Sequence, residues 1–197
     1  MSSESLPEQK VILASNSSIR KKILEDSGIS FEVVPSEVEE EELKQSLSSN
    51  NFKEYCLALA KAKALDVSNK KKNAYVIGSD QICCYEDEIF SKPLNSIKAI
   101  ANLSKLSGKT HQLIGSYSFT RNGDVLYEET ITTNMTMKPL TETEINDYVE
   151  LDQPFKSCGS YMFEKNGYKL FSEVEGSLEA INGMPINYLL ENLEKHV

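Results

Sequence analysis

The chain has 197 residues, of which 40% are hydrophobic and 26% are charged, a composition typical of a globular protein with a substantial core. Its net charge of −9 argues against a general nucleic-acid binder, because an acidic surface repels a phosphate backbone. No apolar run approaches the roughly 20 residues that span a bilayer, and the polar N-terminus lacks the apolar stretch of a secretory signal. We therefore expect a cytoplasmic protein that binds neither membranes nor nucleic acids.

The four cysteines are interpreted as reduced thiols. None belongs to a Cys-x-x-Cys pair, and the chain has only two histidines, so the sequence does not predict a structural zinc site. Cys83 and Cys84 are adjacent in a strand-like run and would point to opposite faces of the strand, which makes them poor disulfide partners.

The first 80 residues predict alternating strands and helices. Residues 1–10 are expected to form a flexible extension, and residues 11–197 a single domain. Short apolar runs of the kind found in buried strands alternate there with segments of helical period. The predicted elements are a strand at 11–14, a helix at 19–28, a strand at 31–34, a helix at 52–67 and a strand at 74–77.

The second half of the chain predicts a long hairpin between helices. Asn122-Gly123 is a strong hairpin turn signal between two runs of alternating hydrophobicity. Thr141 with Glu144 three residues later is a capping box that begins a helix. The other predicted elements are short strands at 82–85 and 88–90, a helix at 96–106, a loop-rich segment after the capped helix, and a final helix around 189–193. Together these elements predict an α/β fold with a mixed twisted sheet and flanking helices.

A cluster of capping residues at 15–18 follows the first predicted strand. Free backbone N–H groups and the positive end of the helix dipole make such a helix start a natural seat for a phosphate. Arg20, one turn into the helix, could reach the same anion and bind it with two N–H groups. The alternative is a well-capped helix that carries an exposed arginine.

A second polar cluster, Gly78-Ser79-Asp80-Gln81, follows the apolar run at 74–77. We expect Asp80 to lie at the carboxyl end of that strand, where open α/β sheets place their ligands. There it could bind Mg²⁺ or activate a water molecule. The alternative is an aspartate that only forms a turn after the strand.

Two lysines are candidates for binding an anion. Lys92 precedes Pro93, which restricts its backbone, and Lys61 lies in an apolar helical stretch where it either faces a cleft or extends to solvent. The acidic run at 39–42 is by itself more typical of a solvated face.

The order and spacing of these clusters resemble those of the Maf family of nucleotide pyrophosphatases. The likeness extends over residues 11–195. It is carried by the segment Leu13 to Arg20, Glu39-Glu40, Leu57-Ala-x-x-Lys61-Ala, Gly78-Ser-Asp80-Gln81, Lys92-Pro93, Ser107-Gly-x-x-His111, Cys158-Gly159-Ser160, Glu175-Gly176 and Asn182-Gly-Met-Pro185.

The resemblance implies a fold related to that of inosine triphosphatase, with two lobes around a cleft. It also implies metal-dependent hydrolysis of a nucleoside triphosphate between its α- and β-phosphates, with Mg²⁺ or Mn²⁺ as the ion. A homodimer would fit the family. The implied roles are proton acceptor for Asp80, metal binding for Glu40 and Asp80, and phosphate binding for Ser15, Ser17, Arg20, Lys61 and Lys92.

Three residues bear on the choice of nucleotide. Asp80-Gln81 and Glu164 resemble the group of the family that cleaves 7-methyl-GTP, whereas the group that cleaves dTTP and UTP has Asp-Thr and a glutamine. A carboxylate can accept from N1–H and the exocyclic amine of guanine together, which thymine and uracil cannot match. Ile19 stands where the 7-methyl-GTP group can carry an aromatic residue, so the preference is expected to be relaxed.

Two alternatives remain beside a 7-methyl-GTP pyrophosphatase. One is an enzyme of the same family that cleaves dTTP or UTP, in which case Glu164 only caps a turn. The other is a non-catalytic regulator of cell division that senses a nucleotide, in keeping with the naming of the family as septum-formation inhibitors.

Overall fold

The computed structural model describes residues 10–40 and 51–195. Residues 1–9 of the predicted extension lie outside the described residues. So do residues 41 and 42 of the acidic run at 39–42. The described residues divide into two compact units, the first made of residues 10–40, 51–80, 115–131 and 183–195 and the second of residues 81–114 and 132–182. Among the described residues, no helix has the length and apolar character needed to cross a membrane.

The described elements alternate as the sequence predicts. In chain order they are β1 (Val11–Leu13), α1 (Ser18–Asp26), β2 (Phe31–Val33), α2 (Phe52–Lys70), β3 (Tyr75–Tyr85), β4 (Glu88–Ile89), α3 (Ser96–Leu106), β5 (Thr110–Arg121), β6 (Asp124–Met137), α4 (Glu142–Asp152), the 3₁₀ turns Cys158–Ser160 and Gly167–Leu170, β7 (Phe171–Glu175), α5 (Leu178–Ile181) and α6 (Ile186–Glu194).

The strands form one mixed sheet in the order β2-β1-β3-β5-β6-β7, with β4 paired to β3. β1 is parallel to both of its neighbours, with Val11 opposite Phe31 and Tyr75. β4 and β7 run antiparallel to β3 and β6, respectively. The α/β fold class with a mixed sheet is therefore confirmed.

The first unit is built on β1, whose three residues are all buried. The apolar faces of α1 and α6 supply Leu24 and Leu189 to the same core as Leu13 of β1 and Tyr117 of β5. The hairpin between β5 and β6 turns at Asn122 and Gly123, both of which have positive φ angles of 56° and 91°, as the sequence predicts.

The second unit has its own core, in which Leu103 of α3, Ile145 of α4 and Phe171 of β7 are buried together. The predicted capping box of α4 is present. β7 is absent from the sequence-based prediction, because its five residues lie in a segment rich in turn formers and only its pairing with β6 identifies it as a strand.

His111 belongs to the core of the second unit. It is almost fully buried, its Nε2 lies 2.9 Å from the hydroxyl of Tyr161, and its ring contacts Phe171. Burial lowers the pKa of His111 to about 4, so the imidazole is neutral at pH 7. Its position and neutrality indicate a packing role.

One prediction about β3 is wrong. The sequence places Asp80 at the end of a strand and treats 74–77 and 82–85 as separate strands, but β3 continues unbroken from Tyr75 to Tyr85. Gly78 does not break the strand, because its φ is not positive and its missing side chain instead admits α2. A Cβ atom at position 78 would lie 2.6 Å from the Cβ of Ala64. Asp80 therefore occupies the middle of a strand that α2 approaches closely.

We expect Gly78→Ala to lower the free energy of unfolding by about 3 kcal/mol, because α2 must move away from β3 to admit the methyl group. Gly28→Ala is the matched control. The added methyl group meets open space, so the only destabilisation comes from placing alanine at a φ of +74°. This costs about 1 kcal/mol in the free energy of unfolding. Urea unfolding of both variants measures the difference. Equal losses would contradict the close approach of α2 to β3.

Candidate active site

The start of α1 has the geometry that the serine cluster predicts. Ser17 is the N-cap, with an extended backbone at φ −67° and ψ 118°, and its hydroxyl accepts from the N–H of Arg20. The hydroxyl of Ser15 accepts from the N–H of Ser17 at 3.2 Å. These two hydroxyls fix the turn, so that the first N–H groups of the helix point out of its end toward any anion placed there.

Arg20 is held beside this turn by backbone carbonyls. Its Nε donates to the carbonyl of Gly183 at 3.0 Å, and Nη1 donates to the carbonyl of Ser79 at 3.1 Å. Among the described residues, Nη2 has no hydrogen-bond partner. The guanidinium is thus oriented by its neighbours while it keeps N–H donors for an anion.

Asp80 forms an ion pair with a lysine that the sequence analysis overlooked. The ammonium of Lys63 lies 2.7 Å from Oδ1 of Asp80 and 2.9 Å from Oε1 of Glu40. The side chains of Lys63 and Asp80 are each only 14% exposed. Burial lowers the pKa of Lys63, but Asp80 and Glu40 raise it by more, so that its pKa lies above the usual value and the side chain is charged.

The second oxygen of Asp80 faces a thiol. Sγ of Cys56 lies 4.0 Å from Oδ2. Burial and the nearby charge of Asp80 raise the pKa of Cys56 to about 12. The thiol is therefore neutral at pH 7 and can act as a weak donor to the carboxylate.

Lys61 contacts a different carboxylate. Its ammonium lies 3.4 Å from Oε1 of Glu128, and its side chain is 44% exposed. Residues two apart on a helix point about 200° away from each other, so Lys61 and Lys63 cannot share a face of α2. The spacing Ala-x-x-Lys-Ala fits both lysines, once from Ala58 and once from Ala60, and sequence alone could have suggested Lys63 on that ground.

Glu40 and Asp80 offer a donor set for a divalent ion. Both carboxylates lie within hydrogen-bonding distance of one ammonium, so their oxygens converge on one cationic position. Mg²⁺ is commonly held by one or two carboxylates together with substrate phosphates and water. Within residues 10–40 and 51–195, no group of three or more His, Cys, Asp or Glu side chains could hold a metal ion by itself. The two carboxylates fit an ion that the substrate helps to bind.

The other candidate residues are distributed over both units. Ile19 is half-buried on α1 in the first unit, and Gln81, Lys92 and Glu164 belong to the second. Gln81 follows Asp80 directly along β3, and Lys92 is exposed. Glu164 is also exposed, and it lines a pocket of about 530 Å³ in the second unit.

The sequence comparisons point to one family. A family model described as Maf-like protein matches residues 10–196. A nucleoside triphosphate pyrophosphatase of Legionella pneumophila (strain Paris) is 39% identical over 97% of this chain and 96% of its own length. A 7-methyl-GTP pyrophosphatase of Rhizobium etli is 37% identical over 94% of this chain and 96% of its own length.

A solved structure also matches. The structure of a HAM1 protein from Coxiella burnetii covers 95% of this chain and 99% of its own, with a TM-score of 0.48 and 11% sequence identity. The assignment to a family rests on the family model and the sequence relatives.

We expect Lys63→Met to lower the free energy of unfolding by about 3 kcal/mol at pH 7, because Glu40 and Asp80 lose the cation between them. Lys61→Met makes the same chemical change on the same helix, but its ion pair is far more exposed, so the expected loss is below about 1 kcal/mol. Urea unfolding at pH 7 compares the two variants. Equal losses would argue against an ion pair between Lys63 and Asp80.

Proposed function

The chain belongs to the Maf-like protein family, and from this premise we propose that it is a nucleoside triphosphate pyrophosphatase with 7-methyl-GTP as its preferred substrate. The reaction is hydrolysis between the α- and β-phosphates, which releases pyrophosphate and 7-methyl-GMP. Relatives named nucleoside triphosphate pyrophosphatase support the reaction, and two named 7-methyl-GTP pyrophosphatase, from Rhizobium etli and Mesorhizobium japonicum, support the substrate.

The observation that carries the proposal is the grouping of Asp80 with cations in the first unit. Asp80 is paired with Lys63, and Arg20 donates to the carbonyl of Ser79, the residue before Asp80. An acidic protein can bind a polyphosphate only where a few cations converge, and Arg20 and Lys63 are the cations that would do so here.

Different side chains bind the phosphates and activate the water molecule. Arg20 and the N–H groups at the start of α1, shaped by Ser15 and Ser17, hold phosphate oxygens. Asp80 orients a water molecule and accepts its proton, and Lys63 takes the role that the family resemblance gave to Lys61. Lys92 is a further candidate for contacting phosphate.

Glu40 and Asp80 would hold a divalent ion, Mg²⁺ or Mn²⁺, which when bound supplies positive charge to the phosphate oxygens. The ammonium of Lys63 keeps these two carboxylates together.

The pocket in the second unit supports recognition of a guanine base. Glu164 lines it together with the aromatic residues Phe163 and Phe171. The carboxylate can accept from both N–H donors on one edge of guanine, and the positive charge of a 7-methylated base adds attraction. Aromatic rings offer surfaces on which a base can stack.

We expect purified protein with Mg²⁺ or Mn²⁺ to release pyrophosphate from nucleoside triphosphates, and Asp80→Asn to lower kcat at least a hundredfold, because the amide cannot accept the proton of the attacking water. Asp26→Asn is the matched control, since Asp26 pairs with Lys22 on an exposed face of α1. Turnover by Asp80→Asn above a tenth of wild type would refute the assigned role. Nucleotide binding without turnover by the wild type would instead favour the non-catalytic regulator.

We expect 7-methyl-GTP to have the highest kcat/KM in a panel with GTP, dTTP, UTP, CTP and ITP. Glu164→Gln should lower the ratio of 7-methyl-GTP to dTTP about tenfold, because it loses both an acceptor oxygen and the attraction to the charged base. Glu150→Gln, an exposed change on α4, should leave the ratio unchanged. If the enzyme instead prefers dTTP or UTP, and Glu164→Gln does not change that preference, the protein is a pyrimidine nucleotide pyrophosphatase.

A further inference from the structure

A short turn follows α5 and carries Asn182 into the same pocket as Glu164. The pocket of about 530 Å³ is lined by Glu164 and Asn182 together with aromatic and aliphatic side chains. Asn182 is partly exposed, but its Oδ1 atom is buried and has no hydrogen-bond partner among the described residues. Buried acceptors are nearly always paired, so rotation of this carboxamide into the pocket, where a bound molecule can donate to Oδ1, would satisfy the unpaired atom.

We propose that Asn182 is a second base-contacting residue beside Glu164, and that Gln81 positions the turn that carries it. The inference rests on the proposed function, because it names how the same site selects its base. It also makes the role of Gln81 in the choice of nucleotide an indirect one, because Gln81 holds the residue that contacts the base.

The contacts of Gln81 carry the second half of this inference. Its Nε2 donates to the carbonyls of Ala180 and Ile181 at 3.0 and 3.1 Å. A carboxamide nitrogen has two N–H groups, so both donors of Gln81 are engaged and none remains for a base. The two carbonyls belong to the last residues of α5, and Asn182 follows them directly. Gln81 therefore fixes the backbone immediately before Asn182.

The other end of the turn is fixed within the first unit. The carbonyl of Gly183, the residue after Asn182, accepts from Nε of Arg20 at 3.0 Å. Gly183 has a φ of 84°, a conformation that favours glycine.

The chemistry of the pocket selects guanine over a pyrimidine. Guanine presents N1–H and an exocyclic amine on one edge, with the O6 acceptor beside them. The carboxylate of Glu164 can accept from N1–H and one N–H of the amine, and Oδ1 of Asn182 can accept from the second N–H of the amine. Thymine and uracil offer a single N–H between two carbonyls, so a second acceptor gains nothing from them.

The test is equilibrium binding of the monophosphates 7-methyl-GMP and TMP by titration calorimetry without divalent metal, which needs no turnover. We expect wild type to bind 7-methyl-GMP more tightly than TMP. Asn182→Ala should weaken the binding of 7-methyl-GMP about tenfold and change the affinity for TMP less than twofold. Asn187→Ala, an exposed asparagine at the start of α6, is the matched control and should change neither affinity.

A double-mutant cycle tests Gln81 as a positioning residue. Gln81→Met keeps the length of the side chain and removes its donors, so it should weaken 7-methyl-GMP about as much as Asn182→Ala. Adding it to Asn182→Ala should cause no further loss, because both changes remove the same contact. If the double variant instead loses affinity by the product of the two single losses, Gln81 contacts the base itself and its positioning role is overturned.

The outcomes separate this inference from the proposed function. If the wild type prefers 7-methyl-GMP to TMP but Asn182→Ala binds 7-methyl-GMP as tightly as the wild type, only the role of Asn182 is overturned. A wild type that binds TMP as tightly as 7-methyl-GMP would overturn the substrate and this inference together. Pyrophosphate release from other nucleotides, measured separately, would in that case still support the enzyme class.

Discussion

The close contact between α2 and β3 is the constraint on which the candidate site depends. Asp80 lies in the interior of a strand and is only 14% exposed, a position where an unpaired carboxylate would be strongly unfavourable. Lys63 can reach it because Gly78, two residues earlier, has no side chain to keep the helix away. Replacing the glycine would therefore disturb both the packing and the chemistry.

The same contact bears on how the acidic chain would hold a polyphosphate in the proposed function. Glu40 and Asp80 carry two negative charges around the single positive charge of Lys63, so one negative charge would remain for the proposed divalent ion to neutralise. Arg20 adds a second cation whose orientation is set by two carbonyls. The net charge of −9 thus says little about this site, because charge at short range is decided by a few paired groups.

The sequence predicts most helices and strands well because their signals are local. The capping box at Thr141 and the turn at Asn122-Gly123 depend only on neighbouring residues, and both are confirmed. The continuity of β3 could not be predicted in this way, since Gly78 is a turn former by composition and a packing residue only in contact with α2. Lys63 was overlooked for a similar reason. Both lysines fit the spacing Ala-x-x-Lys-Ala, and only the contact of Lys63 with Asp80 on β3 separates it from Lys61, which contacts Glu128.

Two pairs of neighbouring residues connect phosphate binding with base recognition in the proposed enzyme. Asp80 and Gln81 are consecutive on β3, and the first contacts Lys63 while the second holds the carbonyls of Ala180 and Ile181. Asn182 and Gly183 are also consecutive, and the carbonyl of Gly183 orients Arg20. Under this proposal, a substitution at Gln81 or Asn182 is expected to affect the consecutive residue, Asp80 or Gly183, as well. A substitution of Glu164, which lies on an exposed turn, is expected to change base preference with less effect on those residues.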